Sequence, residues 1–167
     1  YTAVDYLIRQ GHRKIAVLGG PVTSYPSLMR RQGAQQAMED AGIVFNDKLY
    51  GLSNYDFESA YHAMNGLLAR RAEFTALFAM SDVIAFGAIR ALVSAGLRVP
   101  EDVSVIGFDG ITMSRYCVPV MTTIVQPSEQ IALQSIELLV RQIEHGTPAQ
   151  TVTLQPELQQ GESVRAI

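Results

Sequence analysis

The chain of 167 residues lacks the features that several protein classes require. Cys117 is its single cysteine, which excludes an internal disulfide and fits a reducing compartment. Charged residues make up only 17% of the chain, which argues against long disordered tails. No apolar run approaches the roughly 20 residues that a membrane-spanning helix needs. We therefore expect a cytoplasmic globular protein without a membrane partner.

Patterns for catalysis, metal binding and DNA binding are also scarce. The net charge is −3, and the basic residues are scattered along the sequence, so no DNA-binding face is indicated. His12, His62 and His145 lie far apart and lack metal-ligand spacing. Cys117 has no evident base partner, and Gly19-Gly20-Pro21 matches neither a dinucleotide-binding fingerprint nor a P-loop. We predict no catalytic residue, metal, cofactor or enzymatic activity.

Apolar residues are plentiful, at 48% of the chain, and they alternate between strand-like and helix-like spacing. Four short buried runs are predicted strands, at 15–18, 50–52, 75–80 and 103–108. Helical spacing marks four segments, at 1–10, 28–41, 57–71 and 82–95. This alternation predicts an α/β fold, with an open parallel sheet, right-handed crossovers and helices on both faces.

The pattern changes after Asp109. An irregular segment at 110–120 precedes an extended stretch at 123–126. We then predict a helix at 128–145, with the Ser128 hydroxyl as its N-cap. Polar and apolar residues alternate at 151–154, which predicts a final edge strand there.

Polar side chains follow the predicted strands, where an open parallel sheet binds its ligands. An arginine fork and carboxylates can hold hydroxyl groups, and an aromatic ring can stack on a sugar or a base. The mixture predicts a small polyhydroxylated or heterocyclic ligand. The candidates are Ser24, Arg30, Tyr55, Ser81, Asp82 and Asp109.

These candidates also have structural interpretations. Arg30 would otherwise be a solvated helix arginine, Asp109 a turn cap and Tyr55 a packed surface ring. For Asp82 we favour the role of helix N-cap over a ligand contact, in which case Ser81 could face the ligand. Spacing from Arg30 is the only argument for Ser24.

A long ungapped stretch carries a family resemblance. Residues 81–109, SDVIAFGAIRALVSAGLRVPEDVSVIGFD, followed by YCVPVMTT at 116–123, resemble the core of the LacI/GalR (LacI/PurR) bacterial transcriptional regulators. Residues 7–16, LIRQGHRKIA, resemble the helix-to-strand join of the same family. The resemblance covers nearly the whole chain.

The resemblance implies a type I periplasmic-binding-protein-like core, in which a small-molecule effector lies between two lobes. It assigns 1–124 and 149–167 to the C-terminal lobe, and 125–148 to a crossover segment and helix of the N-terminal lobe. The family's DNA-binding headpiece and most of the N-terminal lobe would be absent. Operator DNA would then be a partner only through the missing N-terminal domain.

The resemblance also implies residue roles. Arg30, in an Arg-x-x-Gly motif, and Asp109, in a Gly-Phe-Asp motif, match effector contacts. Tyr55 stands where relatives stack an aromatic ring, and Ser81-Asp82 matches a polar pair before a helix. Gln126, in the lobe-crossing strand, is a further candidate contact.

The resemblance also implies a homodimer. In the family, the helix that matches 82–95 and the segment that matches 110–120 meet their copies across a two-fold axis. This assigns Phe86, Tyr116 and Cys117 to the interface. Ordinary core packing is the alternative for Phe86.

The leading hypothesis is the effector-binding and dimerisation core of a LacI-type regulator. A sugar or purine-like metabolite would control operator binding allosterically. A periplasmic sugar- or solute-binding protein of the same fold is the alternative. A helix-turn-helix ahead of the core would indicate the regulator, and a signal peptide would indicate the transporter.

Overall fold

The short buried runs of the sequence form the strands of one sheet in the computed structural model, which describes residues 1–167. The strands are β1 (Ile15–Gly19), β2 (Tyr50–Leu52), β3 (Ala76–Ala79), β4 (Ser104–Asp109), β5 (Thr122–Val125) and β6 (Glu157–Gln159). The helices are α1 (Thr2–Arg9), α2 (Tyr25–Asp40), α3 (Phe57–Ala69), α4 (Asp82–Ser94) and α5 (Ser128–His145). Two 3₁₀ turns cover Asp47–Leu49 and Thr112–Arg115.

The strand order is β2-β1-β3-β4-β5-β6, in which the first five strands are parallel. The chain reverses its direction across the sheet after β2. Right-handed crossovers therefore place α2 on one face and α3 and α4 on the other. The helices pack accordingly, α1 on α2 and α3 on α4. The predicted α/β fold with two covered faces is confirmed.

The order of the strands also creates a topological switch point between β1 and β3, where ligands bind in open α/β sheets. Every residue of β1 and β3 is buried. Phe78, Leu18 and Ile106 are among the largest fully buried side chains of the core. The strand ends at the switch point are therefore anchored in the buried core.

The predicted edge strand at 151–154 is wrong. The sixth strand is β6, which pairs antiparallel to β5 with Leu158 opposite Ile124. The backbone N–H groups of Glu162 and Ser163 donate to the carbonyl of Val120, which fixes this later segment beside β5. Alternation of polar and apolar residues at 151–154 indicates strand-like spacing, but it does not specify a pairing partner.

Two predicted helix caps are also wrong. Ser128 is the first residue of α5, whose N-cap is Pro127 without a side-chain hydrogen bond. Ser81, not Asp82, caps α4, because the Ser81 Oγ accepts a hydrogen bond from the Ile84 N–H at 3.1 Å. A serine one residue earlier satisfies the same backbone donor, which leaves the Asp82 carboxylate for another role.

Helix α5 differs from the other helices because none of its residues is buried. Its apolar stripe is exposed: Ile131, Leu133, Ile136, Leu139, Val140 and Ile143. The helix ends at His145, and it is capped by Gly146, whose φ of 62° is the left-handed conformation that glycine adopts readily. None of the helices has the length and apolar character that crossing a bilayer requires.

Candidate functional site

Arg30 is the side chain that joins the strand ends at the switch point. It lies in the second turn of α2, and its Nη1 donates to the carbonyl of Met80, which follows β3, at 2.5 Å. Its Nη2 lies 3.4 Å from the Asp109 Oδ1, at the end of β4. The guanidinium also stacks on Phe108, with 3.9 Å between Cζ and the ring centroid. The fork is thus fixed on three sides before any ligand arrives.

Asp109 is held in a backbone conformation that non-glycine residues rarely adopt, with a φ of 115°. Strain of this kind persists where the surrounding structure enforces it, and such positions cluster at functional sites. Here Gln126 enforces it, because its side-chain amide donates to the Asp109 Oδ1 at 2.7 Å and its backbone N–H donates to the Asp109 carbonyl. The Oδ2 atom has no partner within the protein, so it can accept a hydrogen bond from a ligand.

Both charged side chains are partly shielded from water, with Arg30 17% and Asp109 25% exposed. Burial raises the pKa of Asp109, while Arg30 and Gln126 oppose this rise. The site therefore presents a paired, partly desolvated carboxylate. Hydrogen bonds to such a group are stronger than hydrogen bonds in open water.

Asp82 lies beneath this site, fully buried. Its Oδ1 accepts from the Thr123 hydroxyl at 2.6 Å, and its Oδ2 accepts from the Ile111 N–H at 2.8 Å. A Cβ at Gly107 would lie 2.2 Å from the same Oδ1, so only glycine lets the carboxylate approach β4. Burial raises the pKa of Asp82. Its partners are all internal, and it positions the segment that follows Asp109.

Ser24 and Ser81 have their hydroxyl oxygens engaged in helix caps. Ser24 caps α2 by accepting from the Ser27 N–H at 3.5 Å, and Ser81 caps α4. The cap at Ser24, with Pro26 in the first turn, makes α2 begin at Tyr25 rather than at residue 28. Neither serine has a described contact with Arg30 or Asp109.

Tyr55 sits beside the end of β1, with a φ of 61°. Its ring covers Gly20, where a Cβ would lie 2.1 Å from a ring carbon. Its hydroxyl is buried and has no hydrogen-bond partner. An unpaired buried hydroxyl is costly, and this one is closed to water in the structure.

The structure therefore brings Arg30, Asp109 and Gln126 into direct contact, and it places Tyr55 at the end of β1. Sequence reasoning missed Phe108, the stacking platform for Arg30, and Thr123, the partner of Asp82. Phe108 directly precedes Asp109 in the sequence, and an aromatic residue at a strand end was the available signal. Thr123 had no such signal, because a buried threonine in a strand is ordinary.

The residues assigned to a dimer interface come from two segments, α4 and the chain that follows the Thr112–Arg115 turn. Phe86 on α4 is half-buried, and its ring stacks on that of Phe57 from α3, with 6.2 Å between centroids. Cys117 is half-buried, and its Sγ lies 3.1 Å from the Pro119 carbonyl. Burial raises the pKa of this thiol. The neighbouring Tyr116 and Val118 are 77% and 93% exposed, which leaves an apolar surface uncovered.

No group of three or more His, Cys, Asp or Glu side chains is arranged to hold a metal ion.

Comparison with known protein families gives one match over almost the entire chain. The periplasmic binding protein-like domain family matches residues 4–164. The HTH-type transcriptional repressor PurR of Histophilus somni (strain 129Pt) is 38% identical over 168 residues, which cover 100% of this chain and 50% of that protein. The chain spans about half the length of the curated relatives it matches.

Solved structures give the same result for the fold. A sugar-binding transcriptional regulator of the LacI family from Escherichia coli, solved with phosphate, superimposes with a TM-score of 0.92 at 35% identity. That match covers 99% of this chain and 60% of the other. The cellobiose complex of the transcriptional regulator CelR also has a TM-score of 0.92 at 35% identity, covering 96% of this chain and 50% of that one.

Proposed function

The chain belongs to the LacI/PurR family of transcriptional regulators, as an effector-binding domain of the periplasmic-binding-protein-like fold, and we propose that it binds its effector at the Arg30–Asp109–Gln126 cluster. The observation that carries this proposal is the fixed fork of Arg30 between Met80, Phe108 and Asp109. A side chain fixed in this way loses little conformational freedom when a ligand binds.

The effector is a sugar or a related metabolite. The free Asp109 Oδ2 can accept from a ligand hydroxyl, and the neighbouring Arg30 guanidinium is also partly accessible. A carboxylate acceptor beside a guanidinium suits an oxygen-rich ligand. The cellobiose bound by CelR supports a sugar, whereas the PurR relatives make a purine-like effector the other candidate.

Residues 125–148 belong to a first lobe that closes over the effector, while 1–124 and 149–167 form the lobe described above. The exposed apolar stripe of α5 supports this division, because such a stripe is expected to pack against another surface. Effector affinity of the 167-residue chain should then be far below that of the full-length regulator. Equal affinities would contradict this division.

Effector binding shifts the regulator between two lobe arrangements that differ in DNA affinity. Operator DNA is contacted by a helix-turn-helix domain outside the chain, in the cytoplasm, and no enzymatic step is involved. An effector-dependent change in operator binding by the full-length protein is the expected result. Ligand binding without any DNA binding would favour the periplasmic solute-binding alternative.

Two copies associate through the surfaces that carry Phe86, Tyr116 and Cys117. The exposure of Tyr116 and of Phe57, whose ring stacks on the half-buried Phe86, supports this assignment. Sedimentation of the full-length protein with Phe86→Asp and Cys117→Asp should show a loss of dimer, because a carboxylate buried without a partner is costly at an interface. An undiminished dimer would place the interface elsewhere.

Binding at the cluster is tested by a thermal-shift screen of sugars and purines on the full-length protein, because a ligand that binds only the native state raises apparent stability. Arg30→Gln and Asp109→Asn should each weaken binding of the best ligand by roughly 1–3 kcal/mol. Arg31→Gln is the matched control, since Arg31 pairs with the exposed Asp47. Unchanged binding in both site variants would refute the assignment.

A further inference from the structure

The amino ends of the strands carry a second polar region, opposite the edge with Arg30 and Asp109. A groove of about 500 Å³ lies there, lined by residues that precede β1, β2 and β3. Strand β1 alone separates the two edges by five residues, or about 16 Å. The groove is therefore distinct from the proposed effector site.

Four of the five cations that line this groove lack carboxylate partners. Six of the 13 lysine and arginine side chains of the chain form an ion pair with an acidic side chain. Of the seven that do not, four line this one groove: Arg13, Lys48, Arg70 and Arg71. These residues are scattered in the sequence, and the fold brings them together although the chain has a net charge of −3.

The groove has no free negative charge to neutralise these cations. Glu73 is the only acidic residue that lines it, and its carboxylate is paired with Lys14 at 2.5 Å. Arg70 is held in place, since its Nη1 donates to the carbonyls of Lys48 and Tyr50. Positive charge is thus concentrated at the rim of the groove, and the Arg70 side chain among these cations is fixed by hydrogen bonds.

The floor of the groove is apolar. Ile15, Met38 and Leu49 are buried beneath it, and Ile43 and Val44 are more exposed along one side. The volume falls within the range of small-molecule sites, roughly 300–1,000 Å³. The groove is therefore of a size that suits a small molecule.

We propose that this groove binds a phosphorylated small molecule, whose phosphate lies among Arg13, Lys48, Arg70 and Arg71 and whose apolar body rests on Ile43 and Val44. Guanidinium forks match the geometry of phosphate oxygens, and an ammonium group adds a point charge. The site lies at the opposite end of the strands from the effector cluster. The domain would thus have a second ligand-binding site.

The probe is phenyl phosphate, titrated into the isotope-labelled 167-residue chain and followed by ¹H–¹⁵N correlation spectra. Amide shifts should concentrate at 13–15, 43–49 and 70–73. Phenol should bind far more weakly because it lacks the charge, and inorganic phosphate should bind more weakly because it lacks the apolar body. Shifts confined to other regions, or equal binding of phenol or inorganic phosphate, would overturn the proposal.

The Arg13→Gln, Lys48→Gln double variant removes two rim cations whose side chains make no hydrogen bond. It should weaken phenyl phosphate binding by about tenfold. The Arg90→Gln, Arg115→Gln double variant is the control, since it removes the same charge from cations that also lack carboxylate partners. Equal loss in the two variants would show a non-specific charge effect and overturn the proposal. Tighter binding of an oligoglutamate peptide than of phenyl phosphate would assign the groove to a protein partner and overturn it as well.

Discussion

Two arginine–aspartate pairs in this chain have the same residue types, but the pKa of the aspartate is shifted in opposite directions. Arg30 and Asp109 meet at the carboxyl edge of the sheet, mostly shielded from water, and burial raises the pKa of Asp109. Arg98 and Asp102 meet in the exposed turn before β4, where the hydrogen bonds from Arg98 lower the pKa of Asp102 to about 2.

Geometry and solvent explain the difference between the pairs. Asp102 accepts from the Nε, the Nη2 and the backbone N–H of Arg98, at 2.9, 3.0 and 2.8 Å, and water still reaches its carboxylate. Asp109 receives one longer contact from Arg30 at 3.4 Å and loses part of its hydration. The exposed pair closes a turn, whereas the shielded pair keeps an acceptor oxygen unsatisfied. A raised carboxylate pKa together with a free oxygen is typical of a binding site.

The largest loss of stability is expected from a substitution that crowds the buried Asp82 carboxylate. Gly107→Ala would place a Cβ 2.2 Å from the Asp82 Oδ1 and 2.8 Å from the Met121 sulfur. Because Asp82 is fixed by Thr123 and Ile111, the conflict should cost about 3 kcal/mol of unfolding free energy. Urea denaturation measures it.

Gly66→Ala is the matched control for this substitution. Gly66 lies inside α3 with no atom within 4 Å of a new Cβ, so alanine should stabilise the protein by about 0.5–1 kcal/mol. If both alanine variants behave alike, close approach at Gly107 does not constrain the site.

A smaller loss is expected from removing the buried carboxylate itself. Asp82→Ala leaves the Thr123 hydroxyl and the Ile111 N–H without partners, which should cost about 2 kcal/mol. Asp102→Ala should cost less, because water reaches the groups that it leaves unpaired. Denaturation of the two variants under one set of conditions makes the comparison, and an equal loss would contradict the assigned difference in burial.

The fold could be predicted largely because its signals are local. The buried runs of β1 and β3 and the spacing of α4 are visible in consecutive residues, and their ends differ from the prediction by at most one position. The pairing of β6 could not be predicted, because an edge strand is selected by its neighbour and not by its own alternation. The prediction of the α4 cap was also wrong, because Ser81 and Asp82 are both favourable N-cap residues and packing selects between them.

The site was predictable only in its outline. Arg30 and Asp109 follow from their places after strands in a parallel sheet, and Gln126 was a weaker candidate that the structure places against Asp109. The internal role of Asp82 depends on Thr123, which is 41 residues away in the sequence. The groove lined by Arg13, Lys48, Arg70 and Arg71 is formed by side chains from three separate connections, so no local sequence pattern could indicate it.

Opposite pH dependences should separate the two aspartates. The folded Asp109 binds its proton more tightly than the unfolded chain does, so its contribution to stability is complete below the unfolded pKa of about 4 and is lost as the pH rises through the folded pKa. Asp109→Asn should therefore gain stability relative to the wild type as the pH rises above about 4.

Asp102 should behave in the reverse sense. Its contribution is complete above its unfolded pKa of about 4 and is lost as the pH falls through its folded value of about 2. Asp102→Asn should thus lose stability relative to the wild type as the pH rises from about 2 to about 4, with a constant difference at higher pH. Urea denaturation at a series of pH values measures both slopes, and slopes of the same sign would remove the distinction between the pairs.

The smallest effect on stability is expected from Arg98→Gln, since exposed ion pairs contribute little. Its effect on titration should be clear, because Arg98 side-chain hydrogen bonds are the largest cause of the low pKa of Asp102. That pKa should rise from about 2 toward its usual range, but not fully, since the backbone N–H of residue 98 still donates to the carboxylate. In the wild type, burial holds the pKa of Asp109 above its usual value, and Arg30 opposes this rise. Arg30→Gln removes that opposition, so it should raise the pKa of Asp109 further. Carboxyl ¹³C titrations of both variants test this, and an Asp102 that still titrates near its wild-type value would mean that the backbone, not the guanidinium, controls the exposed pair.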